Sequence, residues 1–284
     1  MQYSSSILLV AFAATNVFAH GVIDSVKGAN DVTMPGLSIA DGTPRDCASP
    51  ACGSEVDTSI IRDRELGTAK ASALGRTANG PVDAATMIAL FMGDGGNSTD
   101  TVEAREIHSA NVLRRSLGKR AANGGTKTPA GTKETGVKAA TGAGATSGLP
   151  TTTDDGMVMM TYHQVNQDGA GPLTAMVDAT SGGTDPKAFQ TAEVATNVPG
   201  IGIGGLSAAQ TMDFPVAMAM PAGMTCSGSV GGAENVCVAK LQNAALAGPF
   251  GGSVAFTQSA AAKKRAIEYN LNKRRFARSL AKQQ

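Results

Sequence analysis

The chain has 284 residues, 42% of them hydrophobic and 17% charged, with no Trp and three Tyr. That length suits one large domain or two small ones, and 24 basic against 23 acidic residues exert no global pull toward nucleic acid. The 35 glycines argue against an all-helical bundle, because glycine weakens helix interiors.

In chain order, the first feature is an address. Ile7 to Ala14 is a short apolar run followed by Val17-Phe18-Ala19, which puts small residues where signal peptidase reads. The run is too short to cross a membrane, so residues 1–19 are expected to be a signal peptide and the protein to be secreted and extracellular. Cleavage after Ala19 leaves a chain that starts at His20. Asn97-Ser98-Thr99 is a glycosylation sequon in a Gly/Asp-rich stretch, as expected of a secreted glycoprotein. Four cysteines allow three pairings, of which Cys47–Cys52 and Cys226–Cys237 close the shortest loops. A zinc site is the competing reading, but neither pair has two-residue spacing and no His lies near either.

Residues 20–259 are read as one domain. Residues 20–55 form short β-like pieces broken by Gly and Pro. Ile60 to Arg76, Asp83 to Met92 and Asp100 to Leu117 are predicted as helices. From Gly118 to Thr153 only Val137 and Leu149 are large and apolar, which predicts a low-complexity, flexible loop inserted in the fold. Strands are then predicted at 157–162, 173–179, 212–220, 235–241 and 253–258, with turn residues and no alternating helices between them. That pattern predicts a mainly β, antiparallel sandwich with a helical excursion. Residues 260–284 hold eight Lys/Arg against Glu268, a basic, solvated helical tail on a body of 16 basic and 22 acidic residues. Docking on an anionic wall polymer or membrane surface and dibasic processing are the alternatives for that tail.

The chemistry turns on three histidines, His20, His108 and His163. An N-terminal histidine offers an imidazole and an α-amine, whose ordinary pKa of about 7.7–8.0 lets a metal displace its proton near neutrality. Amine, ring and a second imidazole make a three-nitrogen set of the tetragonal kind that suits Cu(II). His163, at the end of the 157–162 strand, is the expected second ligand. His108, in a charged segment, reads as solvated. Phe256 and Gln258 share one strand face and are the candidates to shape the axial side of the metal, with Phe250 as the rival ring. Other chemistries have less support. There is no GxSxG, adjacent Asp154 and Asp155 would point apart in a strand, and the GIGIGG run at 200–205 lacks a strand–turn–helix setting.

The stretches HGVIDSVKGANDVTMPGLSIADGTPRDC, DTSIIRDRELGTAKASALGR, MTYHQVNQDGAGP and NVCVAKLQNAALAGPFGGS resemble the secreted appressorial virulence-factor family of pathogenic fungi, the MAS/GAS or Egh-like proteins. That resemblance covers most of residues 20–258 and implies deployment during host penetration. The Ala19-His20-Gly21 junction, His163 and a terminal strand with Phe256 are also similar to lytic polysaccharide monooxygenases. This second resemblance implies an immunoglobulin-like sandwich with a copper histidine brace that oxidises a glycan. It departs from that group in lacking Trp, leaving Tyr162 and Tyr269 as the tyrosines of the mature chain. The expectation is a copper protein acting on cell-wall or cuticle polysaccharide at a host surface. The alternative is a non-catalytic effector or wall-binding protein.

Overall fold

The fold comes from a computed structural model that describes residues 20–94, 124–201 and 207–281. The expected helix at 100–117, the sequon, His108 and the signal segment lie outside the described residues. The strands are β1 (Gly21–Lys27), β2 (Thr33–Pro35), β3 (Ser59–Ile60), β4 (Arg76–Thr77), β5 (Gly80–Pro81) and β6 (Thr126–Lys127). They continue as β7 (Met157–Gln164), β8 (Thr174–Asp178), β9 (Gln190–Thr196), β10 (Met212–Ala219), β11 (Gly228–Val230), β12 (Ala233–Gln242) and β13 (Phe250–Phe256). Helices are α1 (Ala84–Met92), α2 (Gly136–Ala140), α3 (Gly144–Ser147) and α4 (Ala260–Ala281).

The main path of the sheet runs β2-β1-β7-β10-β9-β8-β12-β13-β3-β4-β5. Every strand pairing is antiparallel. The mainly β, antiparallel expectation holds: the sheet curls on itself, and β1 packs against β13 across the core. Alternation explains why. Val158, Met160 and Tyr162 of β7 and Phe214, Val216 and Met218 of β10 all point inward and are buried. Pro215 is tolerated in β10 because β9 pairs only from Ala217 onward, so the edge beside the proline carries no ladder bond. Gly252 lets β13 come close to β1; a Cβ there would lie 2.7 Å from the Ile23 nitrogen.

Both cysteine pairs form as expected, Cys47–Cys52 and Cys226–Cys237. α1 also stands where expected, with the Asp83 carboxylate accepting from the Ala85 and Thr86 amides at its start and Gly93 in the left-handed region at its end. Two expectations are corrected. Residues 60–76 are not a helix but turns between β3 and β4. Gly67 and Gly75 take positive φ there, and Glu65 accepts from Arg62, Lys70 and Arg76 at 3.4, 3.0 and 2.9 Å. Tertiary contacts of buried Ile61 and Leu74 override a composition that favours helix. Residues 124–153, expected as a flexible loop, are docked on the body. The backbones of Arg45 and Glu134 bond to Thr132 and Thr43 at 2.9 and 2.8 Å, and Ala140 and Leu149 join the core. Hydrogen bonds replace the large apolar side chains this segment lacks.

Candidate functional site

β1 and β7 have a core face and an outer face. Ile23 and Tyr162 pair on the core face, whereas Val22 and His163 pair on the outer one, and Asp213 of β10 lies opposite His163 on the same side. The His20 carbonyl accepts from the Val165 amide at 3.0 Å, so His20 extends the register by one position beyond Gly21. His20 itself lies outside the strand, so alternation does not fix its face; its ring meets that of Phe250 on β13, the strand that packs against β1 at Gly252 and Ile23. Sequence reasoning expected His20 and His163 to share a metal ion.

Each ring is held by a carboxylate. His163 is fully buried, and its Nδ1 is 2.7 Å from the Asp213 carboxylate. A carboxylate only accepts, so Nδ1 carries a proton, and in the neutral ring the lone pair falls on Nε2. That Nε2 is buried with no hydrogen-bond partner among the described residues. His20 Nδ1 lies 3.2 Å from Glu55, its main-chain nitrogen donates to Asn166 at 2.8 Å, and its ring meets that of Phe250 at 4.5 Å. Asn166 also donates to Glu55 at 3.1 Å, which ties the three groups together.

The supports are local. The NQDGAGP stretch forms a tight turn over Gln167–Gly169, and Gly169 comes so close to the His20 carbonyl that a Cβ would overlap it. The Tyr162 hydroxyl donates to Gly169 at 2.6 Å, and burial pushes its pKa up, so it stays a neutral donor. Burial likewise pushes the Asp168 carboxyl up. Asn243 joins two turns: it donates to the Asp168 and Ala170 carbonyls and accepts from the Ala245 and Phe250 amides. Glu55 reaches His20 from a loop anchored by Arg45, which is fully buried between Asp57 and Glu134. Residues 38–58 and 128–136 thus form a second, polar layer over the outer face.

Phe256 and Gln258 do not join this site. Phe256 sits in the main core opposite Cys237, six residues along β13 from Phe250, about 20 Å away at about 3.3 Å per residue. Gln258 instead braces the Cys226 segment, accepting from the Cys226 amide at 3.0 Å and donating to Met224 at 2.9 Å. The ring beside His20 is Phe250. Glu55, Asn166, Asp213 and Asn243 were not singled out from sequence, although an acid within the apolar run MDFPVAMA is a readable signal. Among the described residues no group of three or more His, Cys, Asp or Glu is arranged to hold a metal. A metal here would rest on two imidazoles and an amine.

A family model described as Egh16-like virulence factor matches residues 18–251. The chain is 71% identical over 283 residues to the appressoria-specific virulence factor GAS2 of Pyricularia oryzae, covering 99% of this chain and 98% of that protein. It is 42% identical over 109 residues to the appressoria-specific virulence factor GAS1 of the same organism, covering 38% of this chain and 42% of that protein. No solved structure matches. These matches bear out the appressorial resemblance and do not extend to the monooxygenase one.

Proposed function

We propose that this chain, which belongs to the Egh16-like virulence factor family, acts outside the cell at the host boundary and binds one copper ion through His20 and His163. The supporting observation is His163: Asp213 holds its Nδ1 and leaves a buried Nε2 with no hydrogen-bond partner among the described residues, on the strand that pairs with the one following His20. A carboxylate behind a ligating imidazole fixes its tautomer and raises its basicity. Cleavage after Ala19 would turn the main-chain nitrogen of His20 into an amine beside its own Nδ1. Phe250 would then limit access from one side. Bound copper supplies one-electron redox chemistry with dioxygen or peroxide and a reductant, and oxidation of a cell-wall or cuticle polysaccharide is the reaction this reading assigns.

One observation favours a second reading, a non-catalytic effector. The exposed large aromatic residues among the described residues are Tyr269 and Phe276, both on α4, so no ring platform for a glycan surrounds His20. The two readings separate on one preparation, a chain verified to begin at His20. Copper titration followed by paramagnetic resonance should show an axial signal with nitrogen coupling that His163→Ala abolishes. Oxidised oligosaccharides from chitin, glucan or pectin, dependent on reductant and lost in His163→Ala, would establish catalysis. Copper without product leaves the effector; no copper at all removes the metal reading.

A further inference from the structure

α4 packs on the body only through its first half. Ala262 and Ala266 are buried, and the side chain of Asn270 donates to the Gly223 carbonyl at 2.8 Å as the last anchor. Every residue from 271 to 281 is exposed, so about three turns project into solvent, about 16 Å at about 1.5 Å per residue. These turns continue a 22-residue helix and are held at their start by its packed half.

The projecting half has two characters. Lys273, Arg274, Arg275 and Arg278 carry positive charge with no acid among residues 271–281. Phe276, 67% exposed, and Leu280 lie four apart in a stripe that continues the line of Tyr269, which packs beside Gly223, while Leu271, also exposed, lies round the helix among the basic residues. Arg274, Arg275 and Arg278 lie round the helix from that stripe, and Lys273 flanks it.

We infer that the projecting half of α4 is an interfacial anchor for an anionic lipid bilayer. Charge complementarity selects an anionic partner, since the basic helix is attached to a body with more acidic than basic residues, which such a surface repels. The stripe selects lipid among anionic partners. A hydrated polyanion would leave Phe276 and Leu280 in water, whereas a bilayer interface buries them while the basic side chains reach the headgroups. A second copy of the helix is disfavoured by four like charges on eleven residues. The helix does not cross the bilayer, because no helix among the described residues is long and apolar enough to do so.

The test is co-sedimentation of the full mature chain with vesicles of phosphatidylcholine, with and without phosphatidylserine. Binding should require phosphatidylserine and weaken as salt rises. The triple variant Arg274→Glu, Arg275→Glu, Arg278→Glu should lower partitioning at least about ten-fold. Phe276→Gln with Leu280→Gln should also lower it at least about ten-fold while all the basic residues remain. These side chains are exposed, so circular dichroism should show the β-sheet body unchanged in both variants. Equal binding to both vesicles, or indifference to either variant, overturns the inference. So does binding to polygalacturonate that the triple variant loses and the double variant keeps, which would mark a polyanion site. Dimerisation abolished by the double variant, without vesicle binding, assigns the stripe to a second copy. None of these outcomes bears on the histidine site.

Discussion

Replacing Asp57 by Ala tests how the polar layer over β1 and β7 is held. The guanidinium of Arg45 donates through Nη1 and Nη2 to the two Asp57 oxygens at 3.0 and 2.6 Å, and through Nε to Glu134 at 3.0 Å. Burial by itself pushes the pKa of Arg45 down, but Asp57, Glu134 and Asp24 outweigh it and hold the group above its ordinary value. Arg45 therefore keeps its charge when a partner is lost. Removing one partner of a buried ion pair costs about 3–5 kcal/mol, and the surviving Glu134 bond places this case near about 3 kcal/mol. In a domain of this size each kcal/mol lowers the midpoint by about 2–4 °C, so Asp57→Ala should lose about 6–12 °C. Thermal unfolding followed by circular dichroism with disulfides intact reads this directly. Lys27→Ala is the matched control, because the Lys27–Asp31 pair is solvent-exposed at 3.9 Å and its loss should stay within about 0.5 kcal/mol. A loss below about 1 kcal/mol for Asp57→Ala would refute the reasoning. Water would then be reaching Arg45, and the loop presenting Glu55 to His20 would not be rigid.

Asn243→Ala should destabilise by about 2–4 kcal/mol in urea unfolding, since it strips partners from two carbonyls and two amides, and it should weaken copper binding by loosening both turns beside His20. Asp213→Asn should cut copper affinity about 10–100-fold in titration calorimetry without the total loss expected of His163→Ala. Asp178 is held below the ordinary carboxylate range. Burial opposes this, but the Ser181 hydroxyl and the amides of Ser181, Thr180 and Gly183 outweigh it. Its contribution is thus complete above the unfolded pKa of about 3.9 and lost as pH falls through the lower folded value, so Asp178→Asn should flatten the acid limb of a stability–pH curve. Replacing Cys226 and Cys237 by Ser opens a loop with a sequence separation of 11 and should cost about 2–4 kcal/mol in the same unfolding assay.

The strands of the second half were readable because period-two alternation with buried Val, Met and Phe is a strong local signal, as in VMMTY and MDFPVAMA. β9 was not, because QTAEVAT is mostly exposed and carries little apolar pattern. Residues 60–76 failed for the opposite reason: Ala and Leu favour helix locally, while the Glu65 ion cluster and two left-handed glycines decide the outcome. The docking of 124–153 rests on backbone bonds to Gly42, Thr43 and Arg45, which no side-chain pattern announces. At the site, histidine scarcity pointed to His20 and His163, but which phenylalanine stands beside His20 depends on how far β13 runs past β1. That is a long-range stacking distance, and spacing along one strand contains no information about it.

The topology also sets an order of events during synthesis. His20 and Asn166, which hold each other at the site, are 146 positions apart, and β1 finds its main partner only in β7. A chain that emerges amino end first therefore carries a first strand paired only with the short β2 until more than half of the remainder has been synthesised. Pairings of such long range fold slowly and expose strand edges meanwhile. A product interrupted before Asn166 lacks the partner of the His20 main-chain nitrogen, so, on the proposed copper reading, a fragment that begins at His20 and stops short of Asn166 should be inert toward copper.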